Sequence, residues 1–300
     1  MKTGLAFLAG FALALAASAD PVDWDRAEQV QTGVRLVRRE YTTPRLMKAV
    51  VARIDLKTPG IRFTGTHRDA KWGEPMPDFT NSVKAIRTRR QTTADFMLSE
   101  RAKGRDVIVA FNSAPWSPWC KPWNHKYGDP SRLNVTEGVV ISDHGQKRNH
   151  LFVAWNDGRC EIVENIPSNR YEHVQVAHSG FDILMKDGRP TADASRYSRA
   201  LHPRMVYGLS RDGRYLFVLA IDGRQEGWSL GADQHDMIGM MREAGASDVV
   251  NMDGGGSTTL VYWDGCRPVM ANRHEPSGKI CRANGMNIAV YLDAARASAR

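Results

Sequence analysis

Residues 251–260 read NMDGGGSTTL, and this stretch predicts the fold of the chain around it. The apolar run at 248–252 predicts a strand, the three glycines at 254–256 predict a tight turn, and the apolar run at 258–263 predicts a second strand or a helix start. Because glycine has no Cβ, a ligand can approach this turn closely, and successive N–H groups can form an anion site. With Asp253 beside it, the turn indicates chemistry on a phosphorylated substrate; the simpler interpretation is a hairpin with a glycine bulge.

Two common nucleotide-binding motifs do not fit this stretch. A Walker motif needs lysine after its last glycine, whereas Ser257 follows Gly256 directly. A dinucleotide-binding fingerprint needs spaced glycines, whereas these are contiguous. Nucleotide hydrolysis is therefore not expected.

A strand–helix–strand pattern precedes the glycine turn. Residues 215–221 predict a strand, 232–244 a helix and 248–252 the next strand, which is the spacing of a βαβ unit with parallel strands. The carboxyl ends of parallel strands open on one side of a sheet, where ligands usually bind. Asp222 and Asp253 follow these two ends, so we expect them to lie close together.

The remaining turn signals predict an α+β fold with a mixed β-sheet core and a few packed helices. A helix is expected at 93–103, with Thr92 or Thr93 as its N-cap and Gly104 after its end. Further strands are expected at 35–39, 48–56, 61–66, 106–111, 138–142, 151–155, 160–163, 174–177, 181–185 and 205–209. We expect one domain over residues 20–300.

The first 19 residues have the pattern of a signal peptide. Lys2 precedes an apolar run at 5–16, and Ala-Ser-Ala at 17–19 is typical of a cleavage site. The apolar run is short for a transmembrane helix, and no other segment is apolar enough to span a bilayer. The chain is therefore predicted to be exported, as a secreted or periplasmic protein without a transmembrane segment.

The chain has four cysteines, and export favours their pairing in disulfides. Four cysteines allow three connectivities. We predict Cys266–Cys281, which would close one loop, and Cys120–Cys160. The absence of a C-x-x-C pair argues against zinc.

The charge of the chain is moderately basic, at +8 over 300 residues. Its Lys and Arg residues are scattered, and no recognition helix or RNA-binding motif accompanies them, so a nucleic-acid partner is not expected. A mild positive field would help an anionic substrate to reach its site, although a merely solvated basic surface fits equally well.

The NMDGGGSTTL stretch resembles the signature of the phosphodiester glycosidase family. Other segments resemble motifs of that family in the same order: AFN at 110–112, HSGF at 178–181, HPR at 202–204, IDGRQ at 221–225 and RANGM at 282–286. The resemblance spans 107–292. It implies a mixed α+β domain and a hydrolase that cleaves a sugar-1-phosphodiester bond, with an N-acetylhexosamine as one fitting sugar. It implies a phosphorylated glycan or sugar-1-phosphodiester as the substrate, and neither a cofactor nor a metal ion is expected.

The mechanism implied by this resemblance assigns roles to several residues. Asp253 or Asp222 would act as base or nucleophile, and the sequence does not rank them. Arg204 and the glycine turn would bind the phosphate, with Arg224 as a second anion clamp. His202 is a candidate proton carrier. The remaining candidate substrate-binding residues are Asn112, Asn251, Gly254, Gly255, Gly256, Ser257 and Thr258.

Several of these residues also allow structural interpretations. Asp222 opens a common turn sequence, and Asn112 could cap a strand end. Trp116, Trp119 and Trp123 could stack on sugars, but packing under their loop is favoured. Two other functions remain open: a non-catalytic glycan-binding protein, and a metal-dependent phosphodiesterase that cuts the P–O bond.

Overall fold

The computed structural model describes residues 20–79, 84–119, 121, 124–191, 198–274 and 281–297. The predicted signal peptide lies outside these residues. The described chain is mostly β, with several antiparallel sheets and few helices. The strands are β1 (Glu28–Gln31), β2 (Val34–Tyr41), β3 (Met47–Asp55), β4 (Ile61–Gly65), β5 (Thr88–Arg89), β6 (Asp106–Asn112), β7 (Trp116–Ser117), β8 (Tyr127–Pro130), β9 (Asn134–Thr136), β10 (Val139–Ser142), β11 (Leu151–Trp155), β12 (Cys160–Val163), β13 (Val174–Ser179), β14 (Asp182–Lys186), β15 (Arg189–Pro190), β16 (Arg204–Leu209), β17 (Tyr215–Ile221), β18 (Asp248–Asn251), β19 (Leu260–Trp263), β20 (Pro268–Met270) and β21 (Asn287–Leu292). The α-helices are α1 (Thr93–Ala102), α2 (Gln234–Ala244) and α3 (Ala294–Ala297), and 3₁₀ turns lie at Ser168–His173 and Gly255–Ser257.

The largest sheet has eight strands in the order β1-β2-β3-β17-β16-β18-β14-β15. The sequence of strand β17, YLFVLAI, is apolar without interruption. Such a strand can be buried on both faces of its sheet. Alternate side chains point to opposite faces of a strand. Leu216 and Val218 accordingly join the central core, whereas Phe217 and Leu219 pack with Met237 and other residues of helix α2.

Two five-stranded sheets contribute to the same central core, in the orders β10-β9-β13-β11-β12 and β20-β19-β6-β21-β4. Phe152 from the first and Phe111 and Ile288 from the second are fully buried there. Helix α1 covers the outer face of the second sheet through Phe96 and Met97. A small sheet, β5-β8-β7, carries the tryptophan-rich loop that follows β7.

The predicted parallel βαβ pairing of β17 and β18 is wrong. Strand β16 lies between them and pairs antiparallel with both. The two strands still run in the same direction, because each is antiparallel to the strand between them. Their carboxyl ends therefore open at the same edge of the sheet, as the βαβ interpretation required, and Asp222 and Asp253 follow those ends.

The helix ends agree closely with their sequence signals. Thr92 caps α1, and its hydroxyl accepts a hydrogen bond from the Asp95 N–H at 3.0 Å. Helix α2 begins two residues later than predicted, because Asp233 is its N-cap and forms a capping box with Asp236. Strand β21, which pairs with β6 and β4 in the middle of a sheet, was not predicted.

The predicted Cys266–Cys281 disulfide is not formed in this structure, where both residues are free thiols. Cys266 lies in the exposed turn between β19 and β20, where Asp264 accepts hydrogen bonds from the N–H groups of Cys266 and Arg267. Cys281 instead lines a cavity of about 940 Å³. Cys160 is also a free thiol, buried on β12, and its predicted partner Cys120 lies outside the described residues.

No helix in the described ranges is both long and apolar enough to cross a membrane.

Candidate active site

A cavity of about 940 Å³ lies at the sheet edge where β18 ends. Its described walls combine arginines, histidines, aromatic rings and a single carboxylate. These lining residues are Arg90, Trp116, Pro118, Trp119, Asn124, His125, Phe181, His202, Arg204, Arg224, Asp253, Gly254, Gly255, His274, Cys281, Arg282 and Ala283.

Asp253 is that carboxylate, and its backbone is fixed from neighbouring strands. Its N–H donates to the Ser113 carbonyl at 3.0 Å, and its carbonyl accepts from Asn112 Nδ2 at 2.7 Å. Asn112 Oδ1 accepts from the Thr259 N–H at 3.0 Å, beyond the glycine turn. Tyr207 Oη donates to the Asn112 carbonyl at 2.6 Å. Asn112 therefore joins β6 to both ends of the turn, and its amide supports Asp253 without lining the cavity.

The carboxyl group of Asp253 lies in an environment that disfavours its charge. The residue is 7% exposed, and its Oδ2 accepts no hydrogen bond from the described residues. Burial raises the pKa of Asp253 to about 7, against smaller opposing effects of Ser257, Arg282 and the Gly254 N–H. A carboxyl group with a pKa near 7 suits proton transfer at neutral pH.

The glycine turn bonds mostly to the protein itself. The Gly255 N–H donates to the Pro203 carbonyl at 2.8 Å, and the Ser257 and Thr258 N–H groups donate to the carbonyls of Gly254 and Gly255 at 3.2 and 3.1 Å. The predicted anion nest requires N–H groups that point into the cavity. These three N–H groups are bonded to protein carbonyls instead.

The glycines instead allow two arginines to approach the turn. A Cβ on Gly255 would lie 3.3 Å from a terminal nitrogen of Arg224. A Cβ on Gly256 would lie 2.5 Å from the Arg282 guanidinium carbon, which is closer than real contacts allow. Gly255 also has a φ of +60°, a conformation that L side chains rarely adopt.

Three predicted residues form one wall of the cavity. Arg204 begins β16, and its Nε and Nη2 donate to the carbonyls of Ala232 and Ala200 at 3.0 and 2.7 Å. Arg224 Nη2 donates to His202 Nδ1 at 3.0 Å. Burial lowers the pKa of Arg204, against the charge of Asp233 and with a smaller contribution from Arg224. The structure therefore brings Arg204, Arg224 and His202 together beside the turn that carries Asp253.

Aromatic rings and two further arginines form another wall. The rings of Trp116 and Trp119 lie 4.8 Å apart between centroids. The Arg90 guanidinium lies 4.5 Å from the centroid of Trp116, and that of Arg282 lies 4.3 Å from the centroid of Trp119. Trp116 and Trp119 therefore line the cavity, which the favoured packing interpretation did not anticipate, and Trp123 lies outside the described residues.

Asp222 is not among the residues that line this cavity. It lines a separate cavity of about 510 Å³, where Trp228 Nε1 and the Arg273 N–H donate to its carboxylate at 2.7 and 2.9 Å. Asn272 Nδ2 bonds Asp222 at 3.4 Å and the Thr258 carbonyl at 3.2 Å. Burial raises the pKa of Asp222, against these hydrogen bonds. Asp222 therefore bonds to the segment at Asn272 and Arg273, which packs behind the turn.

Other predicted residues are buried around the cavity. Asn251, Ser257, Thr258 and Gly256 are not among its lining residues, although all lie within or beside the turn. His178 is fully buried between Ser113 and Thr136, and desolvation lowers its pKa to about 3. His178 therefore packs between these two side chains and does not line the cavity.

Four residues of the cavity lining were not predicted from the sequence: Arg90, His125, His274 and Arg282. Arg282 belongs to the RANGM segment, but that resemblance alone did not assign it to the site. Arg90, His125 and His274 carried no signal that separated them from other basic residues of the chain. His274 Nε2 lies 2.8 Å from the Gly256 carbonyl, so it contacts the turn directly. In the described part of the chain, no group of three or more His, Cys, Asp or Glu side chains is arranged to hold a metal ion.

The phosphodiester glycosidase family model matches residues 121–291, which is more than half of the chain. The protein therefore belongs to the phosphodiester glycosidase family. Among the curated proteins, none matches the sequence significantly.

Solved structures share the fold at low sequence identity. The catalytic domain of zebrafish N-acetylglucosamine-1-phosphodiester α-N-acetylglucosaminidase, auto-inhibited by its pro-peptide, is 15% identical with a TM-score of 0.60, covering 89% of this chain and 87% of that one. A hypothetical protein from Synechocystis is 13% identical with a TM-score of 0.60, covering 87% of this chain and 62% of that one.

Proposed function

We propose that this protein is an exported hydrolase that cleaves the bond between a sugar and a phosphodiester, with Asp253 as its catalytic carboxylate. The observation that carries the proposal is a buried carboxylate with a pKa of about 7 in a cavity walled by Arg90, Arg204, Arg224 and Arg282. Guanidinium groups match phosphate oxygens in geometry and charge. The family membership supports the same reaction.

In the proposed reaction, the bond between the anomeric carbon and the phosphate oxygen breaks. The phosphate monoester leaves with the electron pair of that bond, and a water oxygen ends on the anomeric carbon. Asp253 either removes a proton from the attacking water or attacks the anomeric carbon and is then released by water. Arg204 and Arg224 stabilise the charge that develops on the departing phosphate.

The leaving group explains why one carboxylate suffices. An ordinary glycosidase uses one carboxyl group to protonate its leaving oxygen and a second as base or nucleophile. A phosphate monoester has a second pKa of about 6, so it departs without strong protonation. Asp253 is the sole carboxylate among the described lining residues, which suits a phosphate leaving group better than an alkoxide.

The sugar and the location of the protein are finer parts of the proposal. The rings of Trp119 and Phe181, which are 44% and 40% exposed, lie at the cavity and offer surfaces for a sugar ring. An N-acetylhexosamine is the sugar in the name of the zebrafish relative, and we propose this class for the protein. The pattern at residues 1–19 supports export to the periplasm or beyond the cell.

Hydrolysis of a hexosamine-1-phosphodiester in ¹⁸O-labelled water tests the proposal. Label in the sugar is expected, whereas label in the phosphate would establish a phosphodiesterase, and binding without turnover would establish a glycan-binding protein. Asp253→Asn should lower kcat about a hundredfold or more. Asp143→Asn is the matched control, because this exposed carboxylate lies in a surface loop, where it accepts the Gly145 N–H, and does not line the cavity. The anomeric configuration of the product distinguishes base from nucleophile.

A further inference from the structure

A second cavity, of about 530 Å³, shares two chain segments with the catalytic cavity, and we call it the side cavity. Phe181 lines the catalytic cavity, and the next residue, Asp182, lines the side cavity. Gln234, also in the lining of the side cavity, accepts the Ser198 N–H at 2.6 Å. The chain from Ser198 continues to Arg204, which lines the catalytic cavity. The segments at 181–182 and 198–204 therefore run from one cavity to the other.

His150 fixes the chain at the junction of the two cavities. It lines the side cavity, and its carbonyl accepts the Gly180 N–H at 2.9 Å. Its Nδ1 donates to the Phe181 carbonyl at 2.6 Å, since a carbonyl oxygen can only accept. His150 has a φ of +29°, and such backbone conformations are concentrated at ligand sites. A residue of the side cavity thus holds Phe181, whose ring lies at the catalytic cavity.

The charges of the side cavity are paired within the protein. Lys186 Nζ donates to Asp248 Oδ2 at 2.6 Å, and Arg148 Nε lies 3.5 Å from Glu164 Oε2. The described lining of the catalytic cavity instead combines four arginines with one carboxylate. An anion is therefore favoured in the catalytic cavity, whereas the side cavity suits a polar ligand without net charge.

The surface of the side cavity combines the two kinds of group that bind a sugar ring. The half-buried side chains of Val163 and Ile183 provide apolar surface for its C–H groups. The exposed carboxylates of Glu164 and Asp182 can accept hydrogen bonds from its hydroxyl groups. Gln234, which is only 6% exposed, donates to Asp182 Oδ2 at 3.2 Å and so holds that carboxylate in place.

We propose that the side cavity binds a further, uncharged sugar residue of the substrate while the scissile phosphodiester occupies the catalytic cavity. The proposal rests on the proposed function. The two cavities, of about 940 and 530 Å³, both fall in the range of about 300–1,000 Å³ for small-molecule sites, so each has room for a sugar unit. The preferred substrate is accordingly a glycan chain that carries the phosphodiester, rather than the phosphodiester of a single sugar.

Two series of substrates test this proposal, starting from the methyl phosphodiester of an N-acetylhexosamine 1-phosphate. In the first series, a neutral sugar is added to each hydroxyl group of the hexosamine in turn. In the second, a neutral disaccharide replaces the methyl group. We expect kcat/KM to rise about tenfold or more on extension, and the series that responds identifies the side of the scissile bond from which the chain continues. No rise in either series would overturn the proposal.

A variant that fills the side cavity locates the added sugar. Glu164→Trp places a large ring at this exposed position and should remove the gain on extension, while kcat/KM for the methyl compound stays unchanged. Glu74→Trp is the matched control, because Glu74 is an equally exposed residue that lines neither cavity, and it should keep the gain. A gain that survives in Glu164→Trp would place the added sugar elsewhere and refute the assignment.

Binding to Asp253→Asn separates this proposal from the proposed reaction. Calorimetry should show about tenfold tighter binding of the extended compound than of the methyl compound, and Glu164→Trp in the same background should remove that difference. If this result appears although the wild-type protein hydrolyses neither compound, the proposed function fails and the side-cavity site stands. If the wild-type protein hydrolyses both with equal kcat/KM and binds them equally, the reaction stands and the side-cavity site fails.

Discussion

Replacing Asp253 by Asn should remove a pH-dependent destabilisation of the fold while it lowers kcat about a hundredfold or more. The pKa of Asp253 is raised from 3.8 to about 7 in the folded state, so the folded protein binds the proton more tightly than the unfolded chain. Below pH 3.8 both states are protonated, and the group has no effect on stability. As the pH rises from 3.8 to about 7, the unfolded chain gains charge freely whereas the folded protein does not, so stability falls.

These pKa values set the expected magnitude. At 1.36 kcal/mol per pH unit, the carboxyl group destabilises the fold by about 2 kcal/mol at pH 5 and by about 4 kcal/mol at pH 8. Asn does not titrate, so its other effects on stability are the same at both pH values. The stability difference between Asp253→Asn and the wild type should therefore grow by about 2 kcal/mol or more between pH 5 and pH 8.

Urea unfolding at both pH values measures this difference directly, with the Asp143→Asn variant as the control. The control should show no growth of comparable size, because that side chain is exposed. If the advantage of Asp253→Asn is equal at pH 5 and pH 8, the carboxyl group is not held protonated by burial. The catalytic assignment then loses its electrostatic basis, whatever the kinetics show.

Four further substitutions probe the cavity and the residues that support it. Arg204→Lys should lower kcat/KM at least about tenfold, or about 1.4 kcal/mol, because lysine cannot keep both backbone contacts and bind phosphate; steady-state kinetics near wild type would remove Arg204 from the site. Gly255→Ala should lower the melting temperature by imposing a side chain at φ +60°, whereas Gly256→Ala should chiefly weaken substrate binding by displacing a flexible guanidinium; equal melting temperatures and equal KM values would contradict this contrast. Asp222→Asn should lower stability and kcat modestly while the pH dependence of kcat/KM keeps its inflection, and a shifted inflection would make Asp222 the titrating group.

Local structure around the signature stretch could be predicted from sequence because its signals are local. The apolar sequence of β17, the Thr92 cap and the glycines at 254–256 each determine a strand, a helix start or a turn without reference to distant residues. The position of Asp253 at the end of β18 followed directly from these signals.

The pairing of strands could not be predicted in the same way. Strand β16 inserts between β17 and β18, and nothing in the periodicity of a strand states which neighbour it pairs with. The sequence therefore indicated the common direction of β17 and β18 but assigned the wrong pairing. Asp222 was included among the catalytic candidates for the same reason, since sharing a sheet edge does not determine which cavity a side chain lines.

Arg282 shows why half of the site was missed. It is one of 41 Lys and Arg residues in the chain, and although its RANGM segment resembles a family motif, that resemblance did not assign Arg282 to the site. Its place beside Gly256 depends on a contact between segments more than twenty residues apart. The glycines were predicted to present N–H groups to an anion. In the structure, the absence of a Cβ at Gly255 and Gly256 leaves space for the guanidinium groups of Arg224 and Arg282.

The proximity of Arg282 to Asp253 leads to a final prediction about pH. The positive charge of Arg282 lowers the pKa of Asp253 and so opposes the effect of burial. A bound anionic substrate neutralises part of that charge, which makes the carboxylate more basic in the complex. The inflection of kcat, which reports the complex, should therefore lie at higher pH than the inflection of kcat/KM, which reports the free enzyme and is expected near pH 7. In Arg282→Gln the two inflections should converge, with that of kcat/KM moving upwards. If the kcat inflection lies at or below that of kcat/KM in the wild type, the substrate does not neutralise the charge that faces Asp253, and the placement of anion and carboxylate on adjoining walls is wrong.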